Sequence, residues 1–186
     1  MTRVNRRCNQ KATTPQRARC AWKRTGLQAC KPRPANQTGT GGGSVAGAVL
    51  RAARRSARAS QATLAAACGV TADTIRAWED GSSPLASVLM PRMEALIAAL
   101  HDVGACRLLT ADLIVAAWCD LIIAAVANSK DVTGLLADPT TTEEAFNQLM
   151  AWCLEGRVPR RYRPYVSRRA IVSERALIER IHQAIK

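Results

Sequence analysis

The segment SQATLAAACGVTADTIRAWEDG, residues 60–81, decides the fold because it encodes two short helices and the turn between them. A serine at its start is a favourable N-cap for a helix over 61–68, and Gly69 supplies the positive φ that ends this helix. Thr71 is placed to cap a second helix over 72–79. A turn this short that contains glycine sets two helices at a steep angle to each other.

A basic amphipathic helix precedes this segment. Its apolar residues recur at helical spacing on one face: Val49, Leu50, Ala53 and Ala57. Its arginines occupy the rest of the surface: Arg51, Arg54, Arg55 and Arg58. Together these elements predict a helix-turn-helix, whose second helix is shaped to enter the major groove of DNA.

The segment resembles the XRE family, the helix-turn-helix class of phage Cro and repressor proteins. The residues that carry the resemblance are Gln61, Ala65, Gly69, Val70, Thr71, Ile75, Trp78, Glu79 and Gly81. It extends from about residue 47 to about residue 100 and implies a five-helix, Cro/repressor-like domain. The resemblance also implies an ion pair between Arg54 and Glu79, although Arg54 alternatively belongs to the solvated arginines of its helix.

The resemblance implies DNA contacts at particular positions. Gln61 matches the family's phosphate-contacting position, with a solvent-exposed helix start as the alternative, and Thr71 combines a capping role with a backbone contact. The base-facing positions are Ala72, Asp73, Thr74 and Ala77. Arg76 lies beside them and either grips a phosphate or faces solvent, and we add Arg55 to the expected DNA contacts. Because two base-facing residues are alanines, direct readout is expected to be sparse.

The loop after the second helix lacks a cation. Residues 81–84 contain no lysine or arginine, so a side-chain anchor that some relatives have in this loop is missing. The backbone amides of Gly81 to Ser83 remain candidates for holding a phosphate.

Positive charge is concentrated at the start of the chain. The whole sequence has a formal net charge of +13, and residues 1–44 contain ten lysines or arginines and no acidic residue. We call residues 1–44 the basic arm and expect it to be disordered, because it lacks apolar periodicity and ends in a Gly/Ser/Thr linker. It either adds salt-sensitive attraction to phosphates or is an incidental upstream translation, since Val45 is a candidate GTG start.

Cysteine usage favours a reducing compartment. The arm's cysteines, Cys8, Cys20 and Cys30, have no CxxC spacing and no nearby histidine, so no metal site is expected. The other four fall in apolar helical settings, where a free thiol behaves as a small hydrophobe. The basic start is followed by no apolar signal-peptide core, and we expect a cytoplasmic protein.

The rest of the chain is predicted to be helical, which makes the fold class all-α. Helical patterns cover 85–100, 107–127, 138–156 and 173–185. The third begins at an Asp-Pro or a Thr-x-x-Glu cap and ends at Gly156. We divide the chain into the basic arm, a helix-turn-helix domain over 45–101, and a C-terminal helical domain over 102–186 that mediates dimerisation or partner contact.

The helix over 107–127 is nearly apolar on all sides. A membrane span would have this composition, but Asp112 and Asp120 interrupt it. A helix buried inside the protein is therefore the favoured interpretation.

Residues 157–169, RVPRRYRPYVSRR, form what we call the arginine loop, which contains six arginines and no acidic residue. One interpretation is a second phosphate-binding patch formed by Arg157, Arg160, Arg161 and Arg163, with Tyr162 or Tyr165 stacking on a sugar or base. The alternative, slightly favoured, is a solvated loop whose arginines pair with glutamates and whose tyrosines pack on the helices. The candidate glutamates are Glu143, Glu144, Glu155 and Glu174.

The sequence predicts a DNA-binding transcriptional regulator, specifically a repressor that binds double-stranded DNA as a homodimer. No enzymatic motif and no cofactor-binding motif is present, since the glycine run near residue 40 lacks the lysine of a phosphate-binding loop. One alternative is a protein-interaction module, such as an antitoxin or adaptor, with secondary DNA binding. Another is an accessory factor of a mobile element that bends DNA.

Overall fold

The described part of the chain is built from α-helices joined by short turns. A computed structural model describes residues 44–139, 143–166 and 168–186, and within these ranges there is no strand, in agreement with the all-α prediction. The helices are α1 (Val45–Ser56), α2 (Gln61–Cys68), α3 (Ala72–Asp80), α4 (Met90–Asp102), α5 (Arg107–Ala127), α6 (Thr133–Leu136), α7 (Glu144–Glu155) and α8 (Arg175–Ile185). The prediction of a disordered arm falls outside the described residues, apart from Ser44.

Two helices begin later than the sequence predicts. The pattern over 85–100 is divided into a 3-10 turn, Leu85–Ser87, and α4, whose first turn holds a proline where a backbone N–H is not needed. Helix α7 begins at Glu144 without a side-chain cap, so the predicted Asp-Pro start at residue 138 is wrong. The threonines of the alternative cap, 140–142, lie outside the described residues.

The helix-turn-helix segment and the C-terminal helices share one core. Helix α5 packs against α1 and α4 and also against α7 and α8. Its Leu113, Ala116 and Cys119 are completely buried, as is Leu50 of α1. The division predicted at residues 101/102 falls in the last turn of α4, inside one compact unit.

Asp120 of α5 caps the first helix from the other half of the chain. Its carboxylate accepts hydrogen bonds from the backbone N–H groups of Val45, at 2.7 Å, and Ala46, at 3.0 Å, and from the hydroxyl of Ser44. Ser44 also accepts from the N–H of Gly47, so it belongs to α1 rather than to the arm. Burial raises the pKa of Asp120, while these hydrogen bonds oppose the shift. The start of α1 is thus fixed by α5.

Gly47 allows α1 to lie directly against the end of α3. A Cβ atom at this position would approach the carbonyl oxygens of Trp78 and Glu79 to 2.5 and 2.6 Å. Only a residue without a side chain fits this contact, and the contact fixes the position of the end of α3 along the axis of α1.

Among the described residues, α5 is long and apolar enough to cross a membrane. Most of its most apolar window, 61%, is buried by the other helices. The aspartates that interrupt it have partners inside the protein: Asp120 caps α1, and Asp112 binds residues of the arginine loop. These contacts explain the apolar composition of α5 as that of a helix in the protein core.

Candidate DNA-binding surface

The turn between α2 and α3 has the geometry that the sequence predicts. Gly69 adopts a left-handed conformation, with φ of 68°, and beyond its two chain neighbours no atom lies within 4 Å of the position that a Cβ would take. The Val70 N–H donates to the Ala65 carbonyl at 3.0 Å, which closes the end of α2. Thr71 then caps α3 by accepting a hydrogen bond from the N–H of Thr74 at 3.2 Å. The residues from Gly69 to Thr71 therefore set the angle between α2 and α3.

Helix α3 has an inward face locked in the core and an outward face open to solvent. Ile75, Trp78 and Glu79 are buried. The predicted DNA-contacting positions lie on the outward side, where Thr71, Asp73 and Arg76 are exposed and Ala72, Thr74 and Ala77 are half-buried. The described C-terminal helices therefore leave this face uncovered.

Four of the outward residues pair with one another. Arg76 forms an ion pair with Asp73 one turn earlier, at 3.0 Å, and both side chains are mostly exposed. An exposed pair of this kind contributes little to stability, so either group is free to exchange its partner for DNA. The Thr74 hydroxyl lies 2.9 Å from the Thr71 hydroxyl, which orients both groups at the start of α3.

Arg54 and Glu79 form a bidentate ion pair that joins α1 to α3. The Nε and Nη2 atoms of Arg54 lie 2.6 and 3.0 Å from the two carboxylate oxygens of Glu79, whose side chain is only 1% exposed. Nη1 of Arg54 also donates to the Ala59 carbonyl at 2.8 Å, beyond the end of α1. Arg51 contributes a third contact, donating to the Glu79 backbone carbonyl at 3.0 Å. The carboxylate is buried but fully paired, as such a charge requires.

Gln61 belongs to the same network. Its side-chain Nε2 donates to Oε2 of Glu79 at 2.9 Å, and the residue is half-buried at the start of α2. Sequence reasoning placed Gln61 at a phosphate but missed this contact, because nothing in a separation of 18 residues indicates it. Glu79 therefore holds in place both the arginine of α1 and the amide at the start of α2.

Arg55 contacts the arginine loop rather than the α2–α3 network around Glu79. Its Nη1 donates to the backbone carbonyl of Tyr165 in the arginine loop at 2.6 Å, across 110 residues of sequence. The sequence suggested a DNA contact for Arg55, and the structure places it at the junction between α1 and the arginine loop.

The amides after α3 are mostly engaged within the protein. The N–H of Ser82 donates to the Asp80 carboxylate at 2.9 Å, and the N–H of Ser83 donates to the Ala77 carbonyl at 3.0 Å. The expectation that the amides of Gly81 to Ser83 hold a phosphate is therefore wrong for these two groups. The same hydrogen bond from Ser82 lowers the pKa of Asp80, since it favours the ionised carboxylate.

The four arginines of the second candidate patch have different environments. Arg161 binds Asp112, with Nε and Nη2 each 2.7 Å from Oδ2, and its Nη1 donates to Gln148 at 2.7 Å. Arg157 forms an exposed ion pair with Glu155 at 2.6 Å, one of the glutamates considered from sequence. Arg160 and Arg163 are exposed, and Nε of Arg163 donates to the Val158 carbonyl at 3.3 Å.

Of the two tyrosines, Tyr162 is completely buried and cannot stack on a base. Its hydroxyl donates to Asp112 at 2.5 Å, and its ring stacks on Trp152 with the centroids 5.3 Å apart. Burial and the neighbouring carboxylate raise the pKa of Tyr162, so the phenol stays protonated and donating. Tyr165 is half-buried.

Within the described ranges, no group of three or more His, Cys, Asp or Glu side chains could hold a metal ion. The four cysteines in those ranges are free thiols. The arm's three cysteines lie outside the described residues.

The open helix α3, held by a capped three-residue turn and a buried ion pair, has the geometry of a helix-turn-helix domain, a class of domain that DNA-binding regulators use. Residues 45–103 match a family model described as a helix-turn-helix domain, which is consistent with the XRE type. The C-terminal region matches no family model. Comparisons with curated proteins and with solved structures found no significant match.

Proposed function

We propose that this chain is a sequence-specific transcriptional repressor that reads the major groove of double-stranded DNA with α3. The observation that supports the proposal is the division of α3 into a buried face and an open face. Because Ile75, Trp78 and Glu79 already hold the helix in place, DNA binding requires no rearrangement of the core. Such preorganisation reduces the conformational cost of binding.

The contacts divide into positioning and readout. Gln61 and Thr71, near the starts of α2 and α3, bind phosphates, where the helix dipoles also favour an anion. At the base edges, Asp73 accepts a hydrogen bond from cytosine, and Thr74 donates, accepts or meets a thymine methyl. Ala72 and Ala77 can contact only thymine methyl groups. Direct readout by one copy is therefore limited to a few positions.

Limited readout by one copy favours a homodimer. Two copies of α3 that enter successive major grooves, about 34–36 Å apart, double the number of base contacts. The proposed operator is therefore a palindrome with half-sites one helical turn apart. The same proposal assigns the chain a cytoplasmic location and a binding role rather than a catalytic one.

Selection of bound duplexes from random DNA, followed by fluorescence anisotropy on the selected sequence, tests the proposal. We expect a palindromic site, weaker and less selective binding by a Gln61→Ala, Thr74→Ala double variant, and no change for Glu94→Gln. The Glu94 side chain is exposed on α4, away from α2 and α3 in the sequence. Unchanged binding by the double variant, with a native circular dichroism spectrum, would refute the assignment of α3 as the reading helix.

A protein-interaction role is the second candidate, and exposed apolar side chains on α5 favour it. Leu108 is 70% exposed and Ile114 is 39% exposed, on the side of α5 that turns away from the core. Sedimentation analysis of the chain and of Leu108→Glu separates the possibilities. A dimer that dissociates on substitution supports the homodimer, whereas a monomer that co-purifies with a stoichiometric partner from its host supports the interaction module.

A further inference from the structure

The arginine loop is anchored to the core at its base and at its centre. At its base, the N–H groups of Ile171 and Val172 both donate to the Cys153 carbonyl at 2.9 Å. The residues that follow the loop therefore lie against the end of α7, from which the loop starts. At its centre, the buried ring of Tyr162 stacks on Trp152 and its hydroxyl binds Asp112. A surface loop with close ends and its own buried side chains holds a defined conformation.

Arg161 provides a further anchor and neutralises the carboxylate beneath the loop. It uses three nitrogen atoms to bind Asp112 and Gln148. The charge of Asp112 is therefore already compensated and is not available to other arginines. Since Glu155 is likewise paired with Arg157, the positive charges of Arg160 and Arg163 remain uncompensated by any ion pair with the described residues.

The uncompensated arginines border an open cleft of about 750 Å³. Its lining contains four arginines and no acidic residue: Gln148, Arg157, Val158, Pro159, Arg160, Arg161, Arg163 and Pro164. Sites for small molecules are usually enclosed and mainly apolar, and this cleft is neither. An open, arginine-lined surface fits an extended polyanion whose phosphates are contacted one by one.

The cleft adjoins the helix-turn-helix through α1. Successive residues of a helix are about 100° apart, so Arg51, Arg54 and Arg55 lie on one side of α1. Arg51 and Arg54 bind Glu79 at the end of α3, and Arg55 binds the Tyr165 carbonyl, two residues beyond Arg163. The same side of α1 therefore connects the recognition helix to the arginine loop.

We propose that Arg160 and Arg163 bind phosphates of the DNA backbone that flank the sequence read by α3. This inference rests on the proposed function, and it extends the DNA-binding surface to a part of the chain that matches no helix-turn-helix model. The contacts are independent of sequence, because they involve phosphates alone. They lengthen the DNA segment that one copy covers and increase the salt dependence of binding.

Salt titration of the full chain tests the loop contact. Fluorescence anisotropy is measured between 50 and 200 mM salt on a duplex of about 30 base pairs that contains the selected site, since each phosphate contact contributes about 0.9 to the slope of log K against log salt. For an Arg160→Gln, Arg163→Gln variant we expect a slope smaller by about 1–2, an affinity lower by about 3- to 30-fold, and an unchanged preferred sequence. The matched control, Arg175→Gln with Lys186→Gln, removes the same charge from exposed positions of the last helix and the chain end and should retain the wild-type slope.

The outcomes distinguish this inference from the proposed function. If the wild-type chain binds its selected site and the loop variant has the wild-type slope, the loop contact is refuted while the proposed function stands. If the wild-type chain binds no duplex, both are refuted. If pyrophosphate raises the melting temperature of the wild type but not of the loop variant, and the slope for DNA is the same in both, the cleft binds a free phosphate and the DNA contact is again refuted.

Discussion

The buried ion pair between Arg54 and Glu79 allows a quantitative test of how the recognition helix is held. Arg54→Ala leaves the Glu79 carboxylate, whose side chain is 1% exposed, without the two hydrogen bonds that Arg54 donates to it. Removing one partner of a buried pair costs about 3–5 kcal/mol. Because Gln61 at 2.9 Å and Arg51 at 3.5 Å still contact the carboxylate, we expect a value near the lower end of that range.

Urea unfolding and thermal melting measure this loss of stability. A loss of about 3 kcal/mol corresponds to a melting temperature lower by roughly 6–12 °C for a unit of this size. The double variant Arg54→Met, Glu79→Met removes both charges and is expected to lie within about 2 kcal/mol of the wild type, since no buried charge is left unpaired. The two single methionine variants complete the cycle, and we expect a coupling energy of at least about 2 kcal/mol.

Two results would refute this reasoning. A cost below about 1 kcal/mol for Arg54→Ala would mean that the Glu79 carboxylate is solvated in the folded protein, contrary to its burial. A coupling energy near zero would mean that each residue contributes through packing alone. A further consequence concerns function: Glu79→Met should weaken DNA binding beyond its effect on stability, because Gln61 loses the acceptor that positions its side chain.

Four other predictions concern packing, helix capping, pH dependence and chemical reactivity. Gly47→Ala is expected to lower the free energy of unfolding by about 1–3 kcal/mol, measured by urea denaturation, because the added methyl collides with carbonyl oxygens of α3; a neutral effect would show that α1 and α3 separate easily. Asp120→Ala should cost about 2 kcal/mol through loss of the α1 cap. Burial raises the pKa of Asp120. The stability of the wild type relative to Asp120→Asn should therefore be greatest below the unfolded-state pKa of about 3.9 and decline as the pH rises through the folded-state pKa. A stability difference between the two proteins that does not change with pH would contradict the shift. In alkylation at pH 8 followed by peptide mass spectrometry, exposed Cys106 should react in the folded protein, whereas Cys119 and Cys153 should react only on unfolding. Burial raises the pKa of the Cys119 thiol well above its usual value and raises the pKa of Cys153 to about 12. Labelling of either thiol at the rate of Cys106 would contradict their burial.

Local features were predictable from the sequence. The turn at Gly69 and the caps at Ser60 and Thr71 agree with the structure, because each depends on interactions within three or four residues. The bounds of α5 also agree, since a long apolar run with no proline leaves little choice. The start of α7 was not predicted, because a good capping sequence does not guarantee that the chain uses it.

The sequence by itself determined a helix-turn-helix, an all-α fold and the residues on the outward face of α3, because helical periodicity and turn-forming residues are properties of short stretches of chain. The tertiary structure alone decided which polar groups meet across the fold. Asp120 caps a helix 75 residues away, Asp112 holds Tyr162 of the arginine loop, and Arg55 joins α1 to that loop. Such pairings depend on the directions in which packed helices turn their side chains, and a charge pattern does not encode those directions.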